Sequence, residues 1–115
     1  MRSDDELLLD ILLYAKEARE LAAGKDQAQF QADRELQLPL ANLIEIIGEA
    51  AARPSTPALD RMRRVPWAEV IGMRHRLVHD YFRIDLEVLS AVVQTDLAPI
   101  IAAVEPLVPP EELAP

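Results

Sequence analysis

Residues 3–24 read SDDELLLDILLYAKEARELAAG, and this stretch decides the fold class. Ser3, followed three residues later by Glu6, forms a capping box: the hydroxyl can accept from an orphan amide of the first turn, and Glu6 can reach back. Behind it Leu7, Leu8, Ile11, Leu12, Ala15, Ala18, Leu21 and Ala22 recur at helical spacing, and Gly24 is a natural stop. The spacing predicts a helix over roughly 4–23.

The same grammar continues outward. From Asp26 to Arg53 the apolar stripe is Phe30, Leu36, Leu40, Leu43, Ile44 and Ile47, with a kink or break expected at Pro39, which has no amide to donate. Gly48 to Ala52 ends that stripe with mostly small residues. Pro54-Ser55-Thr56-Pro57 is a break, with Thr56 and Pro57 placed to open a short helix through about Met62. Pro66-Trp67-Ala68-Glu69 opens another, carrying Val70, Ile71, Met73, Leu77 and Val78 to about Asp80. Asp85 caps a last helix with Leu86, Leu89, Val93, Leu97, Ile100, Ile101 and Val104 on one side and a bend at Pro99. No alternating strand pattern, internal repeat or glycine-rich phosphate loop is present. The expected class is all-α, a bundle of four or five helices over residues 1–107, followed by a proline-rich flexible tail at 108–115.

Length and composition narrow the function. A chain of 115 residues supports one modest core, and half of these residues are apolar. With no cysteine, disulfides and thiolate zinc sites are excluded, which suits a reducing cytoplasm. The start, Met1 to Glu6, is acidic and does not read as a signal peptide. No uninterrupted run offers the roughly 18–20 uncharged apolar residues that span a bilayer. A soluble, cytoplasmic protein without a membrane partner is expected. The net charge of −8 argues against a polyanion partner until the charges are located. Between Arg53 and Arg83 lie seven arginines (53, 61, 63, 64, 74, 76, 83) and three acids (Asp60, Glu69, Asp80), a window of +4. The remainder holds five basic and seventeen acidic residues. A basic zone on an acidic body can engage phosphates, although a solvated arginine-rich connector has the same composition.

Chemistry concentrates in Gly72-Met73-Arg74-His75-Arg76-Leu77-Val78-His79-Asp80-Tyr81, which holds both histidines of the protein. On a continuous helix with Arg74 at 0°, His75 falls near 100°, His79 near 140° and Tyr81 near −20°, a spread of about 160°. That is too wide for one helix to aim at one small ligand unless the helix end unwinds or a second copy completes the site. The set suits RNA cleavage. A histidine can take the proton of a 2′-hydroxyl at neutral pH, and an arginine gives the phosphate a permanent charge. No metal is needed when the 2′-hydroxyl is the nucleophile. A surface histidine pair with Arg74 and Asp80 ion-paired is the plainer reading. His75 and His79 at i, i+4 could also ligate zinc, but Arg76 between them repels a cation and no glutamate stands there.

At these residues the sequence resembles the HepT family, a branch of the HEPN domains. Its signature is an arginine, four to six residues, then His-X-Tyr: here Arg74, the intervening His75 to Val78, then His79-Asp80-Tyr81. Ile46-Ile47-Gly48-Glu49-Ala50, Pro66-Trp67 with Gly72-Met73-Arg74, and Tyr81-Phe82 through Asp85-Leu86 resemble further family blocks, so the resemblance covers about residues 4–107. His75 departs from the usual asparagine after the arginine and is assigned an accessory polar role. The resemblance implies the toxin of a HEPN/MNT toxin–antitoxin pair, a metal-independent endoribonuclease without a cofactor, with Arg74 and His79 catalytic. It implies a homodimer whose motifs face each other across a composite cleft. It also implies an MNT-type nucleotidyltransferase antitoxin that silences the toxin by attaching AMP to Tyr81. The alternative is a non-catalytic nucleotide-binding or scaffold subunit paired with that transferase.

Overall fold

The computed structural model describes residues 3–53, 68, 71–72, 78–79 and 83–110, with Val78, His79 and Arg83 as backbone. Helix α1 spans Asp4–Ala22. Ser3 Oγ accepts from the Glu6 amide at 3.2 Å, and Asp4, Asp5 and Glu6 place negative charge at the positive end of the helix dipole. Leu7, Leu8, Ile11, Leu12, Ala15, Ala18 and Ala22 are buried along one face, as their spacing requires. The helix stops where Gly24 takes φ = +75°, a conformation that a Cβ would oppose.

Helix α2, Gln27–Ala32, opens on a reciprocal capping box. Asp26 Oδ1 accepts from the Gln29 amide at 2.9 Å, and Gln29 Oε1 accepts from the Asp26 amide at 2.7 Å. Helix α3, Arg34–Ala51, follows after one residue. Of the kink or break expected at Pro39, the break does not occur there: α3 runs on through the proline, and the chain breaks six residues earlier, at Asp33. Asp33 terminates α2 and caps α3, its Oδ1 accepting from Glu35 and Leu36 at 3.0 and 3.3 Å. Pro39 sits on the exposed side of α3, where the carbonyl deprived of a partner can face water. The buried Gln37 amide bonds back to the Phe30 carbonyl and ties α3 to the end of α2.

At the C-terminal end of the basic zone, Val78–His79 (β1) pairs antiparallel with Arg83–Ile84 (β2). Apart from this two-residue ribbon, the regular structure among the described residues is helical, and the all-α class holds. Asp85 caps the last helix as expected, accepting from Glu87 and Val88 amides, both at 3.1 Å. That helix comprises α4 (Leu86–Ala91), a π-helical turn (Val92–Asp96) and α5 (Leu97–Val104), then a 3₁₀ turn at Glu105–Leu107. The wide turn accounts for Pro99. It resets the hydrogen bonding so that the proline falls in the first turn of α5, where an amide has no intrahelical partner. By length and composition 86–107 is apolar enough to cross a membrane, a criterion that a buried core helix also meets. Here Leu89, Val92, Leu97, Ile100, Ile101 and Val104 are buried, and the helix packs chiefly on α1.

The core is one cluster, in which Leu8, Ile11, Leu12, Phe30, Leu40, Ile44, Ile47, Leu89, Leu97 and Ile100 are the largest fully buried side chains. Val108, which the sequence assigns to the tail, is buried in it. The expected short helix at 56–62 and residues 111–115 lie outside the described residues.

Candidate active site

The segment that carries the chemistry is met at both of its ends. Ala68, Ile71 and Gly72 are helical, as the Pro66-Trp67 opening predicts, and Ile71 packs on the core. By Val78 the backbone is extended. The helix expected to reach about Asp80 has thus given way by residue 78, and the helical-wheel position of His79 does not apply. The reason is local: Val78 is β-branched and favours an extended backbone, and pairing with Arg83–Ile84 supplies main-chain partners that a helix would otherwise provide. Unwinding was one of the two ways out of the 160° spread.

The ribbon is attached to the core through its second strand. Ile84 packs against the core cluster, and Asp85, the next residue, is fixed by its two capping bonds. The register then sets Val78 opposite Ile84 and His79 opposite Arg83. His79 is therefore carried on backbone that is tied to the start of the last helix, a placement suited to a proton-transfer group. Arg74, His75 and Tyr81 lie outside the described residues. The zinc alternative, which needs His75, falls outside them as well. Among the described residues no group of three or more His, Asp or Glu is arranged to hold a metal ion. The partnership of positions 79 and 83 escaped the helical reading, although β-branched Val78 and Ile84 at the outer ends of the two strands are a signal for it.

The Ile46–Ala50 block lies within α3, where Gly48, Ala50 and Ala51 are buried and Glu49 is exposed. Glu49 Oε1 accepts from Arg53 Nη2 at 3.1 Å, one helical turn on. These two residues line an open depression between α1 and α3 together with Leu7, Asp10, Ile46 and Ala50, with acids at two of its six described positions. One carboxylate on another part of the bundle has a displaced pKa. Lys16 donates to Glu105 at 2.5 Å, and that hydrogen bond, then the lysine's charge, holds the Glu105 carboxyl below its usual range.

Residues 11–107 match the family described as "Ribonuclease HepT-like". The chain is 33% identical over 98 residues to "Putative RNase MJ1380" of Methanocaldococcus jannaschii, covering 85% of this chain and 90% of that protein. It is 30% identical over 96 residues to "Probable ribonuclease HepT" of Thermococcus cleftensis, covering 84% and 87%. A protein of Caldanaerobacter subterraneus, "Putative RNase TTE0752", is 29% identical over 89 residues, covering 77% and 80%. No solved structure gives a significant match.

Proposed function

Because the chain belongs to the HepT-like ribonuclease family of HEPN domains, we propose that it is a metal-independent endoribonuclease and the toxin of a toxin–antitoxin pair. The observation that carries this reading is the family match over 11–107, which includes the whole Arg74-to-Tyr81 motif. The ribbon that ties position 79 to the last helix supports it. His79 takes the proton of a ribose 2′-hydroxyl, whose oxygen then attacks the adjacent phosphorus. The bond from phosphorus to the 5′-oxygen breaks, leaving a 2′,3′-cyclic phosphate and, once that oxygen is protonated, a 5′-hydroxyl. Arg74 pairs with the phosphate oxygens as their negative charge grows. His75, next to Arg74 in sequence, is a second imidazole able to supply the leaving-group proton.

The site works as a cleft between two copies of the chain, each contributing its motif, in the cytoplasm. Silencing is covalent. A nucleotidyltransferase antitoxin directs the Tyr81 phenol oxygen onto the α-phosphorus of ATP, pyrophosphate leaves, and the tyrosine becomes an AMP diester. Its negative charge competes with RNA for Arg74. The experiment is incubation of the purified chain with a defined RNA in EDTA, followed by end-group analysis. New 2′,3′-cyclic phosphate and 5′-hydroxyl ends support the reading. Intact RNA, or cleavage that begins only when zinc is added, contradicts it.

A further inference from the structure

The register of the ribbon sets two chemistry-bearing positions opposite each other: His79 on β1 and Arg83 on β2. Residues so paired in an antiparallel ladder have Cα atoms about 4.5–5.5 Å apart. Position 83 is also the better anchored of the two. It stands one residue before Ile84, which packs on the core, and two before Asp85, which is held by the Glu87 and Val88 amides. The chain as a whole is acidic, at −8, so binding a polyanion requires basic groups gathered near the cleavage chemistry. Two arginines of the basic window fall among the described residues. Arg53 is paired with Glu49 on α3, whereas Arg83 is placed opposite His79.

We infer that Arg83 is an RNA-binding residue, taking a backbone phosphate beside the one whose ester His79 opens, because the ribbon's register sets position 83 opposite position 79. The inference rests on the ribonuclease reading above. A guanidinium suits this role, since it keeps its charge at every working pH and offers paired donors that match phosphate oxygens. Its contact is made to substrate and transition state alike, so it acts on KM and leaves kcat nearly untouched.

The test uses a 2′-O-methyl RNA oligonucleotide, which has no free 2′-hydroxyl to attack with. Its binding to the full chain is followed by fluorescence anisotropy between about 50 and 200 mM salt. Arg83→Ala is expected to weaken binding about tenfold. It should also flatten the slope of log affinity against log salt by about 0.7, the value of one phosphate contact on a single strand. Arg83→Lys, which keeps the charge, should retain the slope, and Arg83→Gln serves if the alanine variant does not fold. A merely structural residue would lower the melting temperature and leave the slope at its wild-type value. Unchanged slope and affinity in Arg83→Ala, with RNA still cleaved by the wild type, would overturn this inference alone. A wild type that binds the oligonucleotide through Arg83 but leaves ordinary RNA intact would overturn the ribonuclease reading and keep the inference.

Discussion

His79 and Arg83 are direct partners in the antiparallel pairing of Val78–His79 with Arg83–Ile84, and the chain from Arg83 runs straight into the cap of the last helix. Asp85 is the joint. Its carboxylate accepts from two orphan amides of α4, so Asp85→Ala removes an N-cap worth about 1 kcal/mol. For a domain of this size that is a fall of about 4 °C in melting temperature. Cleavage of RNA should fall more than this stability loss explains, because the ribbon bearing position 79 loses its fixed end. Differential scanning fluorimetry beside a cleavage assay checks this. Full activity in a destabilised variant would show that the ribbon is set by something else.

Gln37 gives a prediction independent of the site. Its amide is buried and bonds to the Phe30 carbonyl across the break between α2 and α3. Gln37→Leu keeps the bulk and removes that donor from the carbonyl, at a cost of about 1–3 kcal/mol. Chemical denaturation should show a lowered midpoint with an unchanged m-value. An unchanged midpoint would mean that water replaces the amide without penalty.

Much of this fold was legible because local signals agree with one another. Ser3, the Leu7-to-Ala22 stripe and Gly24 each mark α1, and they act as expected except at Leu21, which is exposed rather than buried with the rest of the stripe. Asp85 was legible as a cap for the same reason. Pro39 does not break α3, since Glu35, whose carbonyl is left without an amide partner, lies on the exposed side of the helix. The true break, at Asp33, depends on one carboxylate meeting two amides, which composition does not reveal. The end of the motif helix was hidden because Val78 and His79 pair with Ile84 and Arg83, six and four residues on, in an antiparallel register that a helical wheel does not represent. Arg74, His79 and Tyr81 were singled out by the resemblance to the HepT motif, which spacing alone would not have decided. Of these only the backbone of His79 falls among the described residues.

Acid should loosen one contact. Glu105 has a lowered pKa in the folded chain through its bond to Lys16, so the pair stabilises above the carboxylate's unfolded value and is lost as pH falls through the depressed folded value. Both side chains are partly exposed, and the effect should be small. Glu105→Gln should melt slightly below wild type near neutral pH, and the two curves should converge once Glu105 is protonated. A gap that persists at low pH would assign the difference to something other than this ion pair.

Tyr81 separates a toxin–antitoxin pair from a stand-alone nuclease. Co-expression with the cognate nucleotidyltransferase should raise the mass of the Tyr81 peptide by one or more AMP units and suppress cleavage. Tyr81→Phe should block the mass change and leave cells unprotected, provided that the variant still cleaves RNA. Neutralisation of the wild type without modification of Tyr81 would mean that the antitoxin acts by steric binding.

The central claim is that Arg74 and His79 perform the cleavage. The direct measurement is the single-turnover rate on one defined RNA, in EDTA, for wild type, Arg74→Ala and His79→Ala at matched folded concentration. General acid–base assistance is worth about 10²–10⁴-fold, so His79→Ala should lose at least about a hundredfold, with Arg74→Ala comparably impaired. If both variants stay within about tenfold of wild type, neither residue has the assigned role, and the cleavage chemistry lies elsewhere in the chain.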